Sequence, residues 1–335
     1  MTATRLPAIE TETTSCTLCS FSASRTRGEI RMDGQLVGRM VHCERCGLRF
    51  LSPRPTQRQR DWLYEQEYHS GLPGEHGETR FASVKADQDL ALVRFGRYLA
   101  QVEGIRRTKR EGRARLLDIG AGTGQLLELA RERGWDVSAI ERSGEACQYL
   151  AGRYGPGSVA GRDLTDLEGA AGSYDAVVMA HVIEHMPDPL GALAMAHHVL
   201  VPGGRLLVAT PNEASLYEWL WQVRQRRRGA SAANHYVAIA WREGCWYREP
   251  VQYDARSLIE FQILTTEHLY FFTRRTLGEM LRRAGFAQVN WASGSAAPAS
   301  SRFGRLVRND LVNRALFLLD RHAELVAIAE KGRTA

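Results

Sequence analysis

The chain has 335 residues, enough for two domains, one of them large enough to bury a substantial core. No stretch approaches the roughly 18 consecutive apolar residues of a membrane span, and the opening MTATRLPAIE has no apolar signal-peptide core, so a soluble cytoplasmic protein is expected. The formal net charge of +6 is modest for this length and is carried by arginine, with Lys85, Lys109 and Lys331 the only lysines. A nucleic-acid partner is therefore disfavoured, although Arg224 to Arg228 form one true cluster.

In chain order, the first pattern is a pair of CxxC motifs, Cys16-Thr-Leu-Cys19 and Cys43-Glu-Arg-Cys46. Each motif places two thiolates on one tight turn. Two such knuckles facing each other supply a closed four-thiolate site, in which a Zn2+ ion is structural because no coordination position stays open for chemistry. Two disulfides are the competing reading, disfavoured in a chain without a secretion signal. Between the pairs, the alternation in EIRMDGQLVGRMVHC predicts a hairpin turning at Asp33-Gly34. The zinc-ribbon module is expected to span 1–55, followed by a helical linker over 56–112 whose Tyr64 and Tyr68 can cover a cofactor pocket.

From residue 113, strand and helix signals alternate: RLLDIG, a helix from about 124 to 133, DVSAIER, another helix, SVAGRD, YDAVVMAHV, a helix to Leu200, and GRLLVATPN. This is the pattern of an α/β fold with a parallel sheet covered on both faces, which binds its ligand beyond the carboxyl ends of the strands. The first such loop reads Asp118-Ile-Gly120-Ala-Gly122-Thr-Gly124. Its GxGxG spacing departs from the GxGxxG that cradles a diphosphate, and Asp118 would repel a phosphate but can pair with the ammonium of a bound amino acid. Glu141 after the second strand can accept hydrogen bonds from ribose hydroxyls, and Asp163 after the third from an adenine amino group. Each acid taken singly also reads as a turn or helix-cap residue. Three at successive strand ends favour a nucleoside joined to an amino acid.

On these residues the run from about 113 to 290 resembles the class I S-adenosylmethionine (SAM)-dependent methyltransferases. The resemblance implies a Rossmann-like seven-stranded sheet within a domain over 113–335. It assigns SAM contacts to Asp118, Gly120, Gly122, Gly124, Glu141, Asp163, Leu164 and Ala180, with Tyr68 closing the pocket. CERCGLRFLSPRPT and the following WLYEQEY are similar to a zinc-ribbon subgroup of these enzymes that includes sugar C-methyltransferases of antibiotic biosynthesis. Methyl transfer needs near-attack positioning and, for many acceptors, a base. His181, in Ala180-His181-Val182-Ile183-Glu184-His185, is the first candidate, since an imidazole pKa near 6.5 suits proton abstraction. His268, oriented by Glu267, is the second, by resemblance to a Glu-His pair of the sugar C-methyltransferases. That assignment departs from the pattern, because those enzymes carry a further C-terminal domain. The segment 213–270, rich in Trp and Tyr, is expected to form a helical lid over the acceptor. The acceptor is read as a small biosynthetic molecule, a sugar or nucleotide-linked sugar being favoured, methylated on oxygen or carbon. The alternative is an rRNA or tRNA methyltransferase whose ribbon and arginines grip phosphates. Oligomeric state is left open.

Overall fold

The computed structural model describes residues 10–32, 35–61, 92–103, 112–216, 238–242, 245–249, 268–293 and 315–333. In chain order the strands begin with β1 (Thr11–Glu12), β2 (Ser24–Met32), β3 (Gln35–Cys43), β4 (Arg49–Leu51) and β5 (Arg54–Pro55). Helical residues 92–103 (α1) lead into β6 (Arg115–Ile119), α2 (Gln125–Glu132), β7 (Asp136–Ile140), α3 (Gly144–Tyr154) and β8 (Val159–Gly161). Then come β9 (Tyr174–Ala180), α4 (Pro189–Val199) and β10 (Leu200–Pro211). The remainder is β11 (Ala238–Arg242), β12 (Cys245–Glu249), β13 (Tyr270–Phe271), α5 (Arg274–Arg283), β14 (Gln288–Ser293) and β15 (Glu324–Glu330). The chain divides into two compact units, one of residues 1–77 with 218–271, the other of 78–217 with 272–335.

The larger unit is built on a seven-stranded sheet in the order β14-β15-β10-β9-β6-β7-β8. β8, β7, β6, β9 and β10 run parallel, and β15 and β14 close the edge antiparallel. This is the sheet that the resemblance implied. β9 reads YDAVVMA and is buried through Met179, as a parallel strand covered on both faces must be. One face packs Tyr98, Leu99 and Val102 of α1 and Leu126 and Ala130 of α2 against Leu116, Ala176, Val178, Leu207, Val326 and Ile328. The helices start where sequence chemistry permits. Ser143 accepts from Ala146 N, Asp188 accepts from Gly191 N ahead of Pro189, and Thr273 accepts from Thr276 N. α2 runs within the expected span, and α5 stops before Gly285, which has φ 102°.

The smaller unit carries a six-stranded sheet, β12-β11-β2-β3-β4-β13, and a two-stranded ribbon of β1 with β5. β2 and β3 pair antiparallel out to Met32↔Gln35, as a hairpin about Asp33-Gly34 requires; those two residues lie outside the described set. The helical lid expected over 213–270 is corrected by its described residues. β11 and β12 form an antiparallel pair that joins β2 in parallel through Ala238↔Arg31 and Ile239↔Met32. The aromatic residues of AIAWR and CWYRE, with Ile239, suit an extended, pleated strand. The division into units is accordingly not the linear one, since residues more than 200 positions beyond β2 complete its sheet. Arg54, 7% exposed, ties distant parts of this unit: Nε contacts Glu12 Oε1 at 2.9 Å and Nη1 donates to Tyr270 Oη at 3.2 Å. Among the described residues no helix is long and apolar enough to cross a membrane.

Candidate functional site

The two CxxC motifs fold into matching knuckles. Cys16 N donates to Phe21 O and Cys43 N to Leu48 O, while Ser20 N donates to Cys16 O and Gly47 N to Cys43 O. The residue after each motif, Ser20 or Gly47, takes a left-handed backbone (φ 57° and 83°) that lets the chain double back. The four sulfurs lie within 4.8 Å of one another, with Cys16 Sγ 3.4 Å from Cys46 and Cys19 Sγ 3.5 Å from Cys43. These separations are far too long for a disulfide and close to the edge of about 3.8 Å of a tetrahedron with about 2.3 Å metal–sulfur bonds. Burial, reinforced by the Cys46 thiol, pushes Cys16 up, and burial also raises Cys46, to about 11. Cys43 is drawn down to about 7 despite its burial, by backbone amides of its own knuckle at Cys46 and Arg45. A cation of the Zn2+ class fits this donor set.

At the carboxyl end of β6 the glycine loop is held by Glu141, 2% exposed, whose Oε2 accepts from Gly122 N at 2.8 Å and Oε1 from Ser143 N at 2.9 Å. Gly120 has φ 80°, and a Cβ there would lie 2.4 Å from Val182 Cγ2. Gly124, at φ 78°, opens α2 against Leu150 and Tyr154. Side chains at these two positions would collide with Val182, Leu150 and Tyr154, so the loop can close this tightly only with glycine there. Asp118 is 4% exposed, and no hydrogen-bond donor among the described residues reaches its carboxylate. Burial first, and then the Glu141 charge, push it up to about 7. A cation beside these two buried acids would relieve both the burial and the repulsion.

Asp163 takes the capping role weighed against cofactor contact. It precedes the single helical turn Leu164–Leu167, and its Oδ1 accepts from Thr165 N at 3.2 Å and Thr165 Oγ1 at 3.3 Å. Leu164 starts that turn, and Ala180 ends β9.

His181 follows directly with φ 56°, a left-handed conformation uncommon for a residue with a side chain, and its N–H donates to Ala209 O at 2.8 Å. Its Nε2 lies 2.7 Å from Glu324 Oε1 and its Nδ1 3.6 Å from Glu184 Oε1, both acids being 1% exposed against 32% for the histidine. Burial opposes the charge on His181, but these carboxylates outweigh it and raise the imidazole to about 9, correcting the ordinary value near 6.5 expected from sequence. Thr210 Oγ1 donates to Glu184 Oε2 at 3.0 Å, and Tyr98 Oη donates to Glu324 Oε1 at 2.8 Å. Arg94 Nη1 stands 3.5 Å from His181 Nε2. Sequence reasoning missed Tyr98, Arg94 and Glu324. The signal available for Glu324 was an acid at the head of an apolar strand, LVAIA.

His268 belongs to the smaller unit, just before β13, with its ring 6.5 Å from that of Phe271. Glu267, Tyr64, Tyr68 and Arg224 to Arg228 lie outside the described residues, as do Trp219, Trp221 and Tyr253.

A methyltransferase-domain family model matches residues 92–290, more than half of the chain and all five parallel strands of the seven-stranded sheet. Among curated proteins, a ubiquinone biosynthesis O-methyltransferase of Caulobacter sp. (strain K31) is 37% identical over 134 residues, which are 37% of this chain and 49% of that protein. One from Pseudomonas aeruginosa is 32% identical over 104 residues, 29% of this chain and 44% of its own length. The match therefore spans about half the length of these relatives or less. Among solved structures, a SAM-dependent methyltransferase from Archaeoglobus fulgidus is 20% identical, with a TM-score of 0.46, covering 81% of this chain and 99% of that one. With the family match running through the sheet and its glycine loop, the chain belongs to the methyltransferase-domain family, the class I SAM-dependent methyltransferases.

Proposed function

We propose that this protein transfers the methyl group of SAM to an oxygen of a small-molecule acceptor, with Zn2+ held by Cys16, Cys19, Cys43 and Cys46 in a structural role. The observation that carries the reading is the buried acid pair Asp118 and Glu141 around a glycine loop held by Glu141. When bound, SAM supplies a methyl on a positively charged sulfur, open to in-line displacement. Asp118 meets the ammonium end and Glu141 keeps the loop closed while offering its second lone pairs to ribose hydroxyls. Asp163 and the Leu164 backbone border the adenine. His181 takes the acceptor's proton, and its elevated pKa makes it a strong base that is scarce in neutral form at pH 7.

Oxygen is preferred over carbon because the curated relatives bear the name O-methyltransferase. The ubiquinone biosynthesis in their names makes a phenolic or enolic hydroxyl the first acceptor to test, ahead of the sugar favoured by the zinc-ribbon resemblance. The test is transfer of labelled methyl from SAM to a panel of catechols and nucleotide-linked sugars, after titration calorimetry with SAM alone. Calorimetric binding with label in a catechol ether supports the reading. Binding of NAD in place of SAM, or label found only on sugar carbon, refutes it.

A further inference from the structure

With His181 taken as the base, the buried acid in direct contact with it, Glu324, has no role yet. Glu324 opens β15, which runs antiparallel to β10 with Glu324 opposite Pro211, while Ala209 of β10 lies opposite Ala180 of β9. Reversal of the last strand thus brings its first residue to the carboxyl end of the parallel strands, where His181 stands 143 positions earlier in the chain. Glu324 is 1% exposed, and its Oε2 has no hydrogen-bond partner among the described residues. Its Oε1 accepts from Tyr98 and contacts His181 Nε2. Burial and the Glu324 charge together push the Tyr98 phenol up, so Tyr98 stays a donor. A carboxylate this deep is costly unless matched by a cation or a strong donor, and those two groups supply the match.

The contact also decides which imidazole nitrogen is available. An ionised carboxylate only accepts, so at 2.7 Å the hydrogen must sit on Nε2. Nε2 then cannot also accept from Arg94, whose guanidinium at 3.5 Å is a neighbouring charge and not a bonded donor. Nδ1 is left with its lone pair, and Glu184 at 3.6 Å acts on it by charge, the separation being too long for a hydrogen bond.

We propose that Glu324 is a positioning residue for methyl transfer: with Tyr98 it fixes the His181 tautomer and ring so that Nδ1 receives the acceptor's proton. This rests on the reading of His181 as the base. In the step, the acceptor hydroxyl gives its proton to Nδ1, the oxygen lone pair forms the new O–CH3 bond, and the S–CH3 bonding pair returns to sulfur, giving S-adenosylhomocysteine. His181 then releases the proton to solvent. The charged or titratable groups around it are Glu184 in its own loop, Glu324 on β15, and Arg94 and Tyr98 on α1.

The experiment uses the full-length, zinc-loaded protein. The titration midpoint of His181 is followed by NMR of isotope-labelled imidazole, and kcat and KM are measured against pH, for the parent, Glu324→Gln and Glu324→Asp. Removing the charge is expected to lower the midpoint from about 9 by roughly 1 to 3 pH units, with the kcat inflection moving alongside and KM for SAM unchanged. Glu324→Asp, which withdraws the charge by one methylene, is expected to shift both by less; if the Gln variant does not fold, the Asp variant decides. An unmoved midpoint in a folded variant, where His181→Ala has abolished turnover, overturns the role of Glu324 alone. Full turnover in His181→Ala overturns the base reading, and this proposal with it.

Discussion

Asp118→Asn is expected to change stability and binding in opposite directions. In the ligand-free protein, burial and the neighbouring Glu141 raise the Asp118 carboxyl from 3.8 to about 7. For an acid whose folded pKa is raised, the ionised form is a burden: absent below about pH 4, growing as pH rises, and complete above about 7. At about 1.4 kcal/mol per pH unit the full burden is on the order of 4 kcal/mol. The nearly isosteric amide removes it, so the variant is expected to unfold later than the parent at pH 8, with the advantage fading towards pH 4. On the proposed function the same substitution also removes the partner of the SAM ammonium, a charge-assisted bond of about 1.5–3 kcal/mol, or roughly a 10- to 150-fold loss of affinity. Denaturant melts of the ligand-free protein at pH 8 and pH 4.5, with titration calorimetry against SAM at pH 8, measure both. A variant no more stable than the parent at pH 8, or one that binds SAM equally well, refutes the account of Asp118.

Cys43→Ser is expected to lose one equivalent of zinc by elemental analysis and to lower the melting of the smaller unit, because a closed four-thiolate site contributes folding free energy directly; unchanged metal content would remove the site. Gly120→Ala places a methyl on Val182 at a backbone of φ 80°, costing about 1–3 kcal/mol and displacing the glycine loop. Weaker SAM binding with a lower melting temperature is the expected result, and parent-like values for both would contradict it. His181, raised from 6.5 to about 9 by its two carboxylates, contributes stability that is full below about pH 6.5 and lost as pH rises through about 9. The protein should therefore melt progressively lower between pH 7 and 10, and Glu324→Gln should flatten that slope; parallel slopes would show that the contact does not govern stability.

What was legible in the sequence was local. CxxC spacing closes a knuckle within five residues, and a run such as YDAVVMA signals a strand buried on both sides. A GxGxG turn between strand and helix marks the crevice because the backbone there must turn left-handed at Gly120, Gly122 and Gly124. Asp118 and Glu141 could be placed on the same grounds, since each directly ends or follows a strand of a parallel sheet. Asp163 kept two readings, cap and ligand, because both begin at a strand end.

Tertiary structure alone determined the rest, because those contacts join residues far apart in the chain. Nothing local in AIAWR says that it extends the sheet of a hairpin more than 200 positions earlier, since an edge strand takes whichever partner the chain brings to it. The resemblance implied LVAIAEK as a final antiparallel strand, as it is, but nothing local says which side chain the first residue of that strand meets. Its antiparallel placement carries Glu324 to His181, where with Glu184 it raises an ordinary imidazole to about 9. The sequence by itself determined which chemical groups this protein owns and the turns that hold them. Their charge and availability follow from burial and from neighbours 143 residues away, quantities that exist only once the last strand has reversed into the sheet.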